Sequence, residues 1–441
     1  MKKFYIVFIS VILILALSVS IFACKENPDE PNIDPTIQNM SFSTVYSEVE
    51  LKKSEKKWRD GMVGGNGKIG FITNGSPTSD VITYQNINYL MPTSADRDSF
   101  PSGGSSLETI RQKIVNGIEP DSTDIIGNWG RIAKYHPGMQ LRIDTSYNGD
   151  IENYQRYTKY ESGEVGENYS ANGISWDRKT FSSRVDDVNI TSITNSAKDV
   201  TLTISIDTIS KMAGFGLGSD SGQADETNIQ YKELVEDNGD YLAQVAHYPD
   251  YEHSAYKNGG FAAVSLIIID GGTKEAIKAS TSDSYNKSGY DAAVNIKNAK
   301  NVYIITALDK TKDMCTMLSF ASQDSYNLLT NLLDQVKAVQ NKYSSDIYTS
   351  ALAPSASIQS ELYNAATLNI IEEGDEEIEK SNNELIAAQK KSNSLSNVLA
   401  NRVYNQGRYA MISCAGYTMS RLSGMWIGTW DPGWRYIYTM D

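Results

Sequence analysis

The chain is 441 residues long, with 40 Lys and Arg against 54 Asp and Glu, a formal charge of −14 and 3 cysteines. Single cores stop growing near ~250–300 residues, so this length implies more than one domain. The acidic balance argues against nucleic acid, whose binding needs a basic stripe to displace counterions, and against anionic membrane surfaces, whereas a neutral glycan meets no such barrier.

At the N-terminus Lys2 and Lys3 precede an apolar run from Phe4 to Phe22 that closes as Ile21-Phe22-Ala23-Cys24. The small residue before Cys24 fits a bacterial lipobox, so residues 1–23 read as a lipoprotein signal peptide and Cys24 as the lipid-bearing first residue of the mature chain. An uncleaved anchor helix is the other reading of this run, because about 19 apolar residues nearly cross a ~30 Å hydrocarbon core. Both readings place the protein outside the cytoplasm, tethered to a bacterial membrane. Residues 24–45 read as a flexible linker, rich in Pro, Asn and Asp up to Gln38. Cys315 and Cys414 are far apart and in apolar contexts; they are expected as buried free thiols, and no spacing suggests zinc.

Residues 46–322 carry a strand pattern. Runs at 81–84, 141–143, 188–190, 200–206, 264–269 and 302–306 alternate apolar and polar residues or are wholly apolar, and Asn-Gly and Gly-Gly pairs punctuate them. Helical periods between them are scarce, which predicts a large antiparallel two-sheet sandwich and not a βαβ fold. Gly65-Asn-Gly67-Lys-Ile-Gly70 satisfies GxGxxG. It continues as strand to Asn74-Gly75 and opens no helix, so it reads as a tight β-turn in which glycine permits positive φ, not as a nucleotide loop. His136, His247 and His253 lack metal spacing and are expected as satisfied surface or edge residues. Asp186 and Asp187, if in a strand, point to opposite faces and cannot flank one bond. Glu372 and Glu373 open a solvated acidic run.

Near residue 325 the period changes. Leu328, Leu329, Leu332, Leu333, Val336 and Val339 form one stripe of an amphipathic helix. A second helical block is predicted from Ser357 to Ile371, with a break at Gly374. A third runs from Asn383 to Cys414, striped by Leu395, Val398, Leu399 and Val403. Residues 323–400 thus read as a helical linker and 401–441 as the start of a further helical domain. That stretch holds Trp426, Trp430 and Trp434, whose rings near Asp431 and Arg435 either stack on flat sugar faces or fill a core. Arg408 reads as an ion-pair or helix-end residue ahead of a ligand.

Gly407, Arg408, Tyr409, Ile412, Ser413, Leu422, Gly424, Trp426, Pro432, Trp434, Tyr438 and Thr439 follow the order "GRYLLISSS…LQGIWN…PPW…YT". In this the segment resembles glycoside hydrolase family 95, the α-L-fucosidase-like enzymes, at the point where their (α/α)6 barrel begins. Trp58 to Phe71 is similar to the family's opening "W…LPIGNGRLGAMVFG". Tyr135 to Ile143 is similar to "YQPLGDLRI", Asn153 to Ser182 to "YRR.LDL…R..F.S", and Ala353 to Asn364 to its linker "APHAALHGELFNR", although Ser355 and Gln359 stand where the linker histidines are usual. The resemblance implies a mainly β plus α chain: an N-terminal super-sandwich, a helical linker and an incomplete (α/α)6 barrel. It implies inverting hydrolysis of α-L-fucosyl or similar glycans without metal or cofactor, with Trp426, Trp434, Arg408 and Asn66 as substrate-binding candidates. The family's acid Glu and its water-positioning Asn-x-Asn pair are expected beyond Asp441. The chain alone is therefore expected to be inactive, with a separately encoded C-terminal half as a partner. The rival expectation is a non-catalytic surface glycan-binding or structural lipoprotein.

Overall fold

The computed structural model describes residues 40–43, 61–89, 103–120, 135–147, 150–207, 229–248, 259–279, 291–311, 325–344, 346–416, 418–420 and 424–427. In chain order these form β1 (Met40–Ser43), β2 (Met62–Gly65), β3 (Ile69–Thr73), β4 (Ser79–Asn86), α1 (Gly103–Val115), β5 (Gln140–Asp144), β6 (Ile151–Lys159), β7 (Glu164–Ala171) and β8 (Ile174–Ser182). There follow β9 (Asn189–Asn195), β10 (Val200–Asp207), β11 (Gln230–Val235), β12 (Tyr241–His247), β13 (Gly260–Asp270), β14 (Thr273–Ile277), β15 (Ala293–Ala299) and β16 (Asn301–Lys310). The helices α2 (Ser325–Lys342), α3 (Ile347–Asn364), α4 (Asn382–Gln389) and α5 (Asn397–Cys414) complete the order.

The strands pair antiparallel into two sheets. A nine-stranded sheet runs β1-β6-β7-β8-β9-β16-β13-β12-β11, and a seven-stranded sheet runs β14-β15-β10-β5-β4-β3-β2. The expected sandwich is present, and all six predicted strand runs fall in it. Alternation assigns the faces: Val302, Ile304 and Leu308 of β16 enter the core between the sheets, while Ile305 and Ala307 face a second core under α2. Both faces of the larger sheet are covered there, which accounts for the unbroken apolar run of β13.

The inter-sheet core also holds polar groups that satisfy one another. Thr180 pairs with Thr191 at 2.8 Å and Ser265 with Thr306 at 2.7 Å. Arg178 on β8 reaches Asp80 of the facing sheet at 2.9 Å and Glu167 on β7 at 3.0 Å, with all three side chains buried. Burial drives the Glu167 carboxyl well above its ordinary value against the pull of Arg178.

Four expectations change. His136 is no surface residue: it is 1% exposed, stacked 4.9 Å from the Tyr89 ring and bonded to Tyr248 Oη at 2.9 Å. The predicted second helix starts ten residues early, at Ile347, because its inward face runs Tyr348, Ala351, Ser355, Gln359, Tyr363 and is partly polar. The third block is two helices, since Ser396 breaks the run by capping α5, its hydroxyl accepting from Leu399 N. The α5 stripe also differs: Leu395 and Val403 are exposed, and the buried face is Val398, Asn401, Arg402, Asn405 and Tyr409. Arg402 is stable there because its guanidinium donates to the carbonyls of Lys380 and Ile378.

Candidate functional site

The residues singled out in the first and last thirds of the chain meet at one seam, where the β2–β3 hairpin lies against α5 and the segment 424–427. The hairpin is built by Asn66, whose Oδ1 accepts from the backbone N–H of Lys68 and of Ile69, both at 2.9 Å. Gly67 follows at φ +89°. That local bond pattern is an Asx turn closed by a residue free of Cβ strain.

Its glycines serve a second purpose, close approach. A Cβ on Gly65 would lie 2.5 Å from Ser413 O, on Gly67 2.3 Å from Ala415 O, and on Gly70 2.4 Å from Gly64 O and 3.2 Å from Trp426 Nε1. Across this smooth surface Gly67 N donates to Ser413 O at 2.9 Å and Tyr409 Oη to Val63 O at 3.0 Å. Trp426 Nε1 donates to Gly64 O at 3.0 Å, and Gln85 Nε2 to Ile427 O at 2.7 Å. Trp426 itself is 8% exposed and packs with Ile72, Ile87, Cys414 and Met425. Cys414 is a buried free thiol, pushed up by burial.

The turn between β8 and β9 forms the third wall. Asp186 and Asp187 lie in that turn and not in a strand, with Asp187 at φ +53°. Their carboxylates still diverge: Asp186 accepts from Lys342 Nζ at 2.7 Å and Tyr343 Oη at 3.0 Å, and Asp187 from Lys68 Nζ at 2.6 Å and Asn66 Nδ2 at 3.0 Å. Arg184, two positions before, ties every part together. Its guanidinium donates to Gln359 Oε1 at 2.7 Å, Asn66 O at 3.2 Å and Ile412 O at 3.1 Å, and its backbone N–H to Ser355 Oγ at 3.0 Å. Burial lowers the Arg184 pKa. Ser355 and Gln359 are the departures noted in the linker, and here they hold an arginine.

Of the predicted site residues, Asn66 and Trp426 are brought together at this seam. The Asn66 side chain also donates to Ser183 O at 2.7 Å, so its amide has used both donors and both acceptor sites within the fold. Arg408 lies on the other side of α5, donating to the carbonyls of Tyr363 and Leu362 at the end of α3 and sitting 5.7 Å over the Tyr363 ring; it closes a helix end. Trp434, Trp430, Cys24, Cys315 and His253 lie outside the described residues. Arg184 carries no signal in the sequence, because one arginine in a polar turn has no spacing to mark it, and Asp187 stands out there only as half of an acidic pair with Asp186. The seam keeps two charged groups within reach of solvent, the Asp187 carboxylate at 41% exposure and the Lys68 ammonium at 26%. Such a pair can orient a hydroxyl-rich ligand through charge-assisted hydrogen bonds.

The sequence matches the family model of the glycosyl hydrolase family 65 N-terminal domain over residues 50–315. No curated protein matches the chain. Among solved structures it is similar to a protein described as a kojibiose phosphorylase from the human microbiome, at 11% identity and a TM-score of 0.45, covering 74% of this chain and 38% of that one. It is also similar to a family GH92 inverting mannosidase from Bacteroides thetaiotaomicron, at 8% identity and a TM-score of 0.27, covering 64% of this chain and 32% of that one.

Proposed function

The chain belongs to the family of the glycosyl hydrolase family 65 N-terminal domain, and from that premise we propose that it serves the hydrolysis of α-L-fucosyl or similar glycans outside the cytoplasm. The family match is the observation that carries the glycoside-hydrolase part of this reading. The narrower assignment, to the α-L-fucosidase-like family 95, draws support from the motif residues Tyr409, Ser413 and Trp426, which bond to the hairpin whose own sequence resembles that family's opening. On this reading the sandwich presents the hairpin to the mouth of a helical barrel, and Lys68 with Asp187 borders the bound glycan.

Cleavage of a glycosidic bond with inversion needs an acid on the leaving oxygen and a base-activated water on the opposite face of the sugar. Asp186 and Asp187 accept from Lys342 and from Lys68 in diverging directions, so the two carboxylates do not face each other across a sugar ring. On this reading the acid belongs to the helical barrel. Cys24, acylated after export, tethers the protein to its membrane.

The test is turnover of an aryl α-L-fucoside by the chain without residues 1–23 together with the protein that supplies the helical barrel, with aryl α-glucoside and α-mannoside beside it. Selective fucose release with β-L-fucose as first product supports the reading. Selective glucose or mannose release would overturn the fucosyl assignment. Oligosaccharide binding with no release would make the protein a surface glycan-binding lipoprotein.

A further inference from the structure

At one edge the larger sheet loses a strand. The ladder between β12 and β13 ends at Tyr241 and Leu266, whereas β13 runs on beside β16 to Asp270. One edge of β13 is thus left without a neighbouring strand from Ile267 onward. Asp240 O takes the Ile267 N–H at 2.7 Å, and Lys274 Nζ, reaching over from edge strand β14 of the other sheet, takes the Ile267 carbonyl at 3.0 Å. Ile269 is two residues on, so its N–H and C=O point along the same edge.

A cleft of about 380 Å³ opens over this edge, between the β11–β12 turn and the C-terminal half of α2. Small-molecule sites run from about 300 to 1,000 Å³, which makes this one suited to one or two sugar rings. Its charged lining is balanced, Glu236 and Asp240 against Lys274 and Lys337, so it selects neither polyanion nor polycation. Gln340 and Asn341 on α2 add amides that donate and accept at once. The floor is apolar where Ile268 and Ile269 are half-buried, and the Tyr241 ring, also half-buried, lines it. An apolar floor, one aromatic ring and a rim of paired donors and acceptors complement a neutral sugar, which has C–H faces and hydroxyl edges. None of these residues belongs to the β2–β3 hairpin, α3 or α5.

We propose that this cleft binds one or two residues of a neutral oligosaccharide, as an accessory site apart from the seam. The ligand class rests on the glycan reading above; the location does not. Isothermal titration of the chain without residues 1–23 with 2′-fucosyllactose and with maltotriose tests it. At least one sugar binds the wild type, and both Tyr241→Ala and the α2 pair Gln340→Ala with Asn341→Ala weaken it tenfold or more; the second variant changes no member of either apolar core and guards against simple unfolding. Unchanged affinity in the Gln340/Asn341 variant, or no binding by the wild type, overturns the site. Binding that obeys these variants, with no aryl-glycoside turnover even when the helical barrel is supplied, would sink the hydrolase reading and leave the cleft standing, and turnover without cleft binding would do the reverse.

Discussion

His136 shows how a single buried group sets a pH dependence. Pro137 O can only accept, so Nδ1 carries the proton at their 2.8 Å contact and Nε2 accepts from Tyr248 Oη. Desolvation lowers its pKa to about 3 from an ordinary value near 6.5. Between those values the unfolded chain binds a proton that the folded chain refuses, so stability rises with pH and is lost as pH falls from 6.5 toward 3, by up to about 1.4 kcal/mol per unit. His136→Phe keeps a ring in the stack and removes the titration; urea midpoints at pH 6 and pH 4 should differ less in the variant than in the wild type. Gly70→Ala tests the seam at the same scale. Its Cβ would meet Gly64 O, backbone that cannot swing aside, so the variant should lose about 1–3 kcal/mol and shift Trp426 emission to the red. The tight turn at Gly67 was legible from Gly and Asn alone. Close approach by residues about 350 positions away was not, because a glycine looks the same in sequence whether it relieves φ or makes room.

Helices α3 and α5 are attached by polar contacts, and that is why their bounds were misread. A search for apolar stripes passes over Ser355 and Gln359 on α3 and Asn401 and Arg402 on α5, which are buried with hydrogen-bond partners. α2, with its plain leucine stripe under the larger sheet, was legible within a few residues at either end. Arg184 carries the polar attachment. Arg184→Lys keeps the charge but loses the planar fork that spans Gln359, Asn66 and Ile412, and hydrogen bonds from a charged donor are worth ~1.5–3 kcal/mol. Limited proteolysis of this variant should cut within 365–416 sooner than in the wild type, with the sandwich still resistant; an unchanged digestion pattern would refute the role. At α4, Ser381 and Glu384 form a reciprocal capping box, and Ser381→Ala should cost about 1 kcal/mol.

On the scale of the molecule, the larger sheet belongs to two cores at once, which binds sandwich and helical layer into one cooperative unit. Leu332→Ala under that sheet should cost about 2–5 kcal/mol. Fluorescence from Trp176, in the inter-sheet core, and far-UV dichroism should lose signal in the same transition; two separate transitions would show the layers to be independent. The two-sheet architecture followed from strand runs and scarce helical periods, but the order of strands could not, since antiparallel pairing over long loops leaves no local mark. The seam adds a consequence in time. Trp426 reaches Gly64 and Gln85 reaches Ile427 across 362 and 342 positions. At ~5–20 residues per second of synthesis, the hairpin is made roughly 20–70 s before the residues that cover it. During that interval Val63, Ile72 and Ile87 lack the partners that cover them, and the nascent chain carries an uncovered apolar strip that a holdase chaperone could occupy until the seam closes.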